Sequence, residues 1–203
     1  MKKILFFFFL PLLLMLYIFI NVSGNSKLIL EDLQRWAEWK SLHFKRKYIA
    51  FCYLIFSYRE FRSLFYYRIG KLSFCFKLFL PPKINLYIYC KRIGGGLLIQ
   101  HGFSTIISAK KIGSNCKIYQ QVTIGFNGTE LPVIGNNVTI CSGAKVIGGI
   151  KIGNNVIIGS NAVVVKDIDN NCVVGGVPAK IICKINKSNI SKYKQHYLDT
   201  TIL

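Results

Sequence analysis

Histidine is the side chain in this sequence that is best suited to proton transfer, and it is scarce. The 203 residues include three histidines, His43, His101 and His196. A neutral imidazole can accept a proton from a hydroxyl group near neutral pH. A lone histidine is usually structural, so its surroundings decide what it does. Only His101 lies beside the repeated stretch described below, between Gln100 and Gly102.

Cysteine is the second reactive side chain, and its spacing argues against a disulfide or metal framework. The seven cysteines are scattered without a Cys-x-x-Cys pair. Several, including Cys116, fall where the repeat directs side chains inward, so we expect reduced thiols in a core. Reduced thiols favour a cytoplasmic location.

The elements that must position His101 form a six-residue repeat that starts near Ile106 and ends near Asp169. A β-branched aliphatic recurs at Ile106, Ile112, Ile118, Ile124, Ile134, Ile140, Val146, Ile152, Ile158 and Val164. A period of six fits neither an α-helix nor strand alternation, and this self-similarity is typical of a parallel β-helix. We expect each aliphatic side chain to point inward and to stack on its equivalent about 4.8 Å away.

Four local features refine this expectation. The step from Ile124 to Ile134 is ten residues, so four extra residues within 126–133 must loop out. The glycines within 93–102 indicate a first coil that is slightly out of phase, and the Asn pairs at 136–137 and 154–155 suit corners with unusual backbone angles. Residues 172–182 are expected to leave the repeat.

The whole chain divides into four predicted segments. These are a hydrophobic leader or membrane segment (1–25), an α-helical region (26–82), the β-helix (83–183) and a basic tail (184–203). Residues 1–25 fit a membrane anchor, a leader added by an upstream start codon, or a cleaved signal. Within 47–69, Arg59, Arg62 and Arg68 share a helix face that is either solvated or turned toward anionic lipid.

The net charge of +19, with a pI near 9.8, favours an anionic partner. Nucleic acid, acidic lipid and a polyanionic cofactor or substrate all satisfy that condition. No nucleic-acid reader motif occurs and the lysines are spread along the chain, so we expect no nucleic-acid partner.

The repeat and three short segments make the sequence recognisable. The repeat, GLLIQHG at Gly96–Gly102, YQQVTIG at Tyr119–Gly125 and GGVPAKII at Gly175–Ile182 resemble the serine acetyltransferase branch of the hexapeptide-repeat acyltransferases. The resemblance covers roughly residues 55–183. It implies a left-handed β-helix preceded by a small helical region, a homotrimer, and acetyl-CoA as donor in grooves between neighbouring β-helices. It implies no metal.

The same resemblance implies roles for particular residues. His101 matches the general base. The oxyanion that forms would then need donors, either backbone N–H groups or a side chain near the groove such as that of Gln120. Matches to the acetyl-CoA contacts fall on Ser142, Ser160, Val165, Lys166 and Lys180. The two lysines would meet the phosphates as point charges, unless they are merely solvated.

The acceptor side departs from the family pattern. An Asp normally precedes the catalytic His, but this chain has Gln100, and the upstream Asp that orients the base aligns near Leu86. An Arg-His pair normally lies in the inserted loop, which here contains Glu130. Gln100 and Glu130 are therefore the candidate substrate-binding residues. The charges that would hold a zwitterionic amino acid are largely absent.

These departures favour O-acetylation of a sugar in a surface polysaccharide or its precursor, at or near a membrane surface. Serine O-acetylation, which makes O-acetyl-L-serine for cysteine biosynthesis, is the alternative acceptor reaction. A non-catalytic solenoid scaffold is a second alternative. A zinc-dependent carbonic anhydrase shares this fold but needs three histidines around the metal, and His101 alone lies near the repeat.

Overall fold

The computed structural model describes residues 2–43, 46–186 and 188–194, and its chain divides into two compact units. The first runs from Met1 to Ile84 and the second from Asn85 to Leu203. The first unit is helical and the second is a parallel β-helix with a short helix near its end. Each unit is described by itself below.

Within its described residues, 2–43 and 46–84, the first unit contains five α-helices and one 3₁₀ turn. They are α1 (Lys2–Val22), α2 (Ser26–Trp39), α3 (Lys47–Ser57), α4 (Arg59–Ile69), the 3₁₀ turn (Gly70–Ser73) and α5 (Phe74–Lys77). Aromatic rings fill its core: the Phe51 and Phe65 centroids lie 5.0 Å apart, and those of Trp36 and Phe61 lie 5.4 Å apart. The segment 47–69 was expected as one stretch, but the extended backbone of Tyr58 divides it in two.

Two of the three arginines of α4, Arg62 and Arg68, are buried, which contradicts both interpretations of a shared basic face, whereas Arg59 is exposed. Arg62 is 4% exposed, and its guanidinium donates to the backbone oxygens of Ile55, Phe56 and Pro81 at 2.7, 2.8 and 2.7 Å. Arg68, also 4% exposed, donates to the Asp32 carboxylate at 2.8 Å. These cations are therefore internal cross-links of the helical unit, because a buried guanidinium must find acceptors.

Membrane crossing can be judged from the helices whose side chains the structure describes. None of those stretches combines the length and the hydropathy that a membrane span requires.

The second unit is wound from short strands that form three sheets. The strands are β1 (Leu86–Ile88), β2 (Leu98–Ile99), β3 (Thr105–Ile107), β4 (Lys111–Ile112), β5 (Lys117–Ile118), β6 (Thr123–Gly125), β7 (Val133–Ile134), β8 (Thr139–Ile140), β9 (Lys145–Ile147), β10 (Lys151–Ile152), β11 (Ile157–Ile158), β12 (Val163–Val164), β13 (Cys172–Gly175) and β14 (Lys180–Lys184). The sheet orders are β1-β3-β6-β9-β12, β10-β7-β4 and β14-β13-β11-β8-β5-β2. All of these pairings are parallel except that of β13 with β14.

The inward stack confirms the six-residue repeat and corrects its first member. Ile112, Ile118, Ile124 and their later equivalents are at most 3% exposed. Ile106, however, is 39% exposed, and its neighbour Ile107 is fully buried and pairs with Ile124. Ile107 is therefore the inward residue of this coil.

The repeat also continues further than expected. β13 pairs in parallel with β11, and Val174 lies opposite Ile158, so residues 172–175 still belong to a coil. The chain leaves the β-helix only after Gly175, where β14 turns back antiparallel to β13. The tail then begins by packing on this unit, since Ile185 is 7% exposed and clusters with Cys141 and Ile157. Residues 195–203 of the basic tail lie outside the described residues.

One corner of the β-helix is held by stacked asparagines. The Asn137 amide donates to Asn155 at 2.8 Å, and the Asn155 amide donates to Asn171 at 2.8 Å. Asn137 and Asn155 have φ of 54° and 55°, as their corner position required. The inserted residues near 126–133 loop out, with Asn127 bridging Glu130, and the register resumes at Ile134. All seven cysteines lie among the described residues and none forms a disulfide, and Cys116 is buried as expected.

Close contact between coils predicts different costs for two glycines that both follow an inward isoleucine. A Cβ on Gly135 would lie 2.7 Å from the backbone oxygen of Gly153, whereas the nearest atom to a Cβ on Gly125 is 3.8 Å away. We expect Gly135→Ala to lower the free energy of unfolding by about 2 kcal/mol or more. Gly125→Ala is the matched control and should change it by less than about 1 kcal/mol. Equal losses in chemical denaturation would contradict this account of coil packing.

Candidate active site

His101 lies at a corner that is two residues longer than its equivalents. The backbone N–H of Gln100 donates to Ile118 at 2.8 Å, and that of Gln121 donates to Phe103 at 3.0 Å. His101 and Gly102 occupy the gap between these two bonded positions, and their φ values are 64° and 43°. The extra residues have no place in the stack, so the imidazole is exposed at the surface.

Backbone hydrogen bonds show which residues of the other coils share this corner. The N–H groups of Gln121, Gly143 and Asn161 donate to Phe103, Gln120 and Ser142 at 3.0, 3.0 and 2.9 Å. Gln120, Ser142 and Ser160 therefore occupy the same position in three successive coils. We call this column the histidine corner; it comprises residues 100–104, 119–121, 141–143 and 159–161.

The two serines contribute small side chains to the histidine corner. The hydroxyl oxygens of Ser142 and Ser160 lie 3.4 Å apart, and both side chains are at least partly exposed. Three coil steps of about 4.8 Å separate the level of His101 from that of Ser160, or about 14 Å. This length is comparable to that of an extended pantetheine arm, and small side chains leave the backbone accessible along it.

Gln120 carries a buried oxygen that no described residue satisfies. Its Oε1 atom is inaccessible to solvent and has no hydrogen-bond partner among the described residues. A buried polar atom without a partner costs about 1–3 kcal/mol, so such atoms are usually kept for a purpose. The assignment of oxygen and nitrogen in the amide follows the hydrogen-bond network, so either end of the group can face a ligand.

Lys145 belongs to this corner although the sequence did not single it out. Its ammonium donates to the backbone oxygens of Gln121 at 2.8 Å and Gly143 at 3.0 Å. A positive charge is therefore fixed against the backbone of two successive coils of the corner, at Gln121 and Gly143. Four lysines directly precede an inward aliphatic: Lys111, Lys117, Lys145 and Lys151. The sequence pattern gives Lys145 no distinction among them.

The thiol of Cys141 is not a candidate nucleophile at this corner. Burial raises the pKa of Cys141 to about 11, with a smaller opposing effect from Lys117. The thiol is therefore protonated near neutral pH, and only the thiolate is strongly nucleophilic. With the Cys141 thiol excluded as a nucleophile, the main reaction step that the corner can support is proton transfer by His101.

The other candidate residues divide between two places. Lys180 pairs with Gly175. Gly175 follows the inward Val174 of the last coil in the same way that Gln100 follows the inward Ile99. Lys180 therefore extends the histidine corner. Val165 and Lys166 follow β12 at its far end, and both are exposed. Glu130 lies at that second corner too, on the inserted loop, where its Cβ packs near Gly149.

The acceptor-side residues are neutral near His101. Gln100 is half-buried, and Leu86 is a core residue of β1 that is 8% exposed. Leu86 therefore contributes packing rather than a charge. Among the described residues, no group of three or more His, Cys, Asp or Glu side chains lies close enough together to hold a metal ion.

Comparisons with known proteins fall on the β-helix. The family described as bacterial transferase hexapeptide (six repeats) matches residues 132–166. Serine acetyltransferase from Synechococcus elongatus is 43% identical over 96 residues, which are 45% of this chain and 39% of that protein. Serine acetyltransferase from Staphylococcus aureus strain Mu50 is 45% identical over 96 residues, 45% of each chain. This chain is similar to serine acetyltransferases. The matched stretch spans less than half the length of each relative.

Solved structures extend the likeness in fold to the helical unit. Neisseria gonorrhoeae serine acetyltransferase in complex with serine superposes with a TM-score of 0.63 at 23% identity, covering 83% of this chain and 73% of that one. Brucella abortus serine acetyltransferase in complex with coenzyme A gives 0.60 at 23% identity, covering 82% and 71%. The fold class, a left-handed β-helix preceded by helices, is confirmed by these neighbours.

The orphaned oxygen of Gln120 predicts opposite effects on stability and on activity. Gln120→Leu removes a buried atom without a partner, so the melting temperature should be unchanged or a few degrees higher, as about 1 kcal/mol would produce. Acetyl transfer should fall by about tenfold or more if the amide contacts the reacting group. Thermal denaturation and a turnover assay measure the two effects.

Gln34→Leu is the control, since Gln34 is exposed and its amide only bonds Glu38 at 2.9 Å. That variant should leave both quantities nearly unchanged. A Gln120→Leu protein that melts clearly lower, with normal turnover, would assign the amide a structural role.

Proposed function

We propose that this protein transfers an acetyl group from acetyl-CoA to a hydroxyl group, with His101 as general base. The observation that carries the proposal is the two-residue extension that presents His101 on the same corner as Gln120, Ser142 and Ser160. The similarity to serine acetyltransferases falls on the same β-helix, and a related structure is named as a complex with coenzyme A.

The histidine corner, together with the residues that follow β12 at the second corner, offers three features that suit an acyl-CoA thioester. Two small serines on successive coils leave an accessible strip, and their oxygens lie 3.4 Å apart. Lys145 and Lys180 add positive charge to that corner, and Lys166 adds it at the far end of β12. Lysine suits phosphate as a point charge. Val165 is 46% exposed, which allows an apolar contact.

The chain's own residues would act in a short sequence. The neutral imidazole of His101 takes the proton of the acceptor hydroxyl as its oxygen attacks the thioester carbonyl carbon. Gln120 donates its amide N–H to the oxygen on which negative charge develops. The carbon–sulfur bond then breaks, and the imidazolium returns its proton to the departing sulfur. Atoms and charge balance without a metal or an acyl-enzyme.

Serine is the acceptor that the comparisons support best. The relatives reported above are named serine acetyltransferases, and one neighbour is named as a complex with serine. A sugar hydroxyl is the second candidate, because Gln100 and Leu86 bring no charge to the His101 side and Glu130, the charged residue of the inserted loop, lies at the second corner. A zwitterion needs charged partners and a neutral sugar does not.

The proposal includes the homotrimer that the family resemblance implies. The histidine corner is exposed along one side, so a neighbouring β-helix would supply the second wall of a donor groove. Light scattering on the purified chain measures the assembly state.

His101→Ala in the full chain should reduce acetyl transfer by about 10²–10⁴-fold, since general base catalysis contributes that much. Binding of coenzyme A should be unchanged, because the imidazole contacts the acceptor proton rather than the phosphates. Release of the coenzyme A thiol measures turnover, and calorimetry measures binding. His43→Ala is the control: this histidine lies in the helical unit and its loss should leave turnover unchanged.

The same thiol-release assay separates the alternatives. Turnover with L-serine would favour serine O-acetylation, and turnover only with nucleotide sugars or glycan fragments would favour the second candidate. Full activity of the His101→Ala protein would refute its role as base. A wild-type chain that binds no coenzyme A would favour a non-catalytic scaffold.

A further inference from the structure

The helical unit exposes large apolar side chains in the short stretch that follows α4. Phe74 and Leu78 are 81% and 83% exposed, Phe79 is 59% exposed and Leu72 is 44% exposed. These four residues lie within eight positions of one another. Contiguous apolar surface of this kind usually marks an interaction site.

The backbone of this stretch is fixed by hydrogen bonds and by buried side chains, so the exposure of its apolar residues is a property of the fold. The buried hydroxyl of Tyr66 lies 2.9 Å from the backbone oxygen of Leu80 and 3.4 Å from that of Phe76. Phe76 and Leu80 are each 4% exposed and anchor the stretch in the core. Arg62 fixes the following turn by donating to Pro81 at 2.7 Å. The backbone is thus fixed while Phe74 and Leu78 point away from it.

A second row of apolar side chains lies on α1. Leu14, Met15, Ile18 and Val22 are 40%, 46%, 60% and 67% exposed. Their spacing puts them on one helix face. The rings of Phe19 and Phe76 pack edge to face with centroids 5.3 Å apart, so α1 runs beside the exposed stretch. We call the two rows together the apolar face.

The charged residues that lie nearest to the apolar face along the chain are all positive. The sequence has no Asp or Glu before Glu31 and none between Glu60 and Glu130. Lys71 and Lys77 flank Phe74 in the chain, and both are exposed. Lysines beside apolar and aromatic groups complement an anionic bilayer, whose headgroups attract the ammonium ions while the interface takes the rings. Two copies meeting through this face would bring the same cations together.

We propose that the apolar face docks this protein on an anionic lipid bilayer. Phe74 and Leu78 enter the headgroup region and Lys71 and Lys77 contact the phosphates. A lipid-facing surface formed by Arg59, Arg62 and Arg68 was one of the two alternatives considered for α4. Because Arg62 and Arg68 are buried, the proposed lipid contact is the apolar face and not that arginine face. Docking is independent of acetyl transfer, so each can fail without the other.

Vesicle flotation of the full chain tests the proposal. Vesicles of phosphatidylcholine mixed with phosphatidylglycerol should bind the protein far better than vesicles of phosphatidylcholine alone. Phe74→Ser combined with Leu78→Ser should lower the partition coefficient by about tenfold or more. The control pair, Phe126→Ser with Ile182→Ser, removes side chains of the second unit that are 64% and 69% exposed, and should change partition less than about twofold.

A second variant keeps the test decisive if the apolar double variant folds poorly. Lys71→Gln combined with Lys77→Gln leaves the apolar side chains in place and should lower binding to the anionic vesicles by about 25-fold, or about fivefold for each lysine. Circular dichroism melting checks that each variant is folded. High salt should weaken the binding of the wild-type chain.

Three outcomes would overturn the proposal. Equal binding to neutral and anionic vesicles would refute the requirement for anionic lipid. Unchanged binding by both double variants would move the contact elsewhere on the chain. A Phe74→Ser and Leu78→Ser protein that sediments as a smaller assembly than the wild type, with no vesicle binding in either, would make the apolar face a contact between copies.

Discussion

The stacking of one inward aliphatic side chain on the next is the constraint on which the β-helix depends. Each coil can contribute only one side chain per sheet to that stack at each level, because the coils are about 4.8 Å apart. Residues in excess of the spacing must leave at a corner. The ten-residue step before Ile134 forms the inserted loop, and the step from Ile99 to Ile107 puts His101 outside. Solvent exposure of the imidazole is thus a consequence of core packing.

The same constraint organises the rest of the candidate site. Because every coil repeats the hydrogen bonds of the one below, residues far apart in sequence share one column. Ser142 and Ser160 are 18 positions apart and have hydroxyls 3.4 Å apart. The stability of the column comes from inward aliphatics, stacked asparagines and close glycines elsewhere in the coil. Its outward side chains are therefore free to serve chemistry.

The repeat could be predicted from sequence because its signal is local and periodic. The prediction was wrong at two places where the period changes. At Ile106 and Ile107 two adjacent isoleucines offer equivalent patterns, and only the pairing of Ile107 with Ile124 decides between them. Val174 was missed because the last coil is shortened between Val164 and Ile168, so its strand falls out of period. Both errors lie beside a change in coil length.

Pairs of residues that are far apart in the sequence and bond to each other in the structure could not be predicted from the sequence. Arg68 lies on a helix face that looked solvated, and its partner Asp32 is 36 positions away. The candidate site could be placed from the family resemblance as far as His101, Gln120 and the two serines. The position of Lys145 and the Gln120 oxygen that no described residue satisfies could not be inferred from the sequence, because each depends on which atoms of adjacent coils lie within reach.

The most direct test of the central claim is a crystal structure of the full chain with coenzyme A. The account predicts that the pantetheine arm follows Ser160 and Ser142 and that its sulfur lies within about 5 Å of the His101 imidazole, as a ternary complex requires. A sulfur bound at another corner, or more than about 10 Å from that ring, would contradict it.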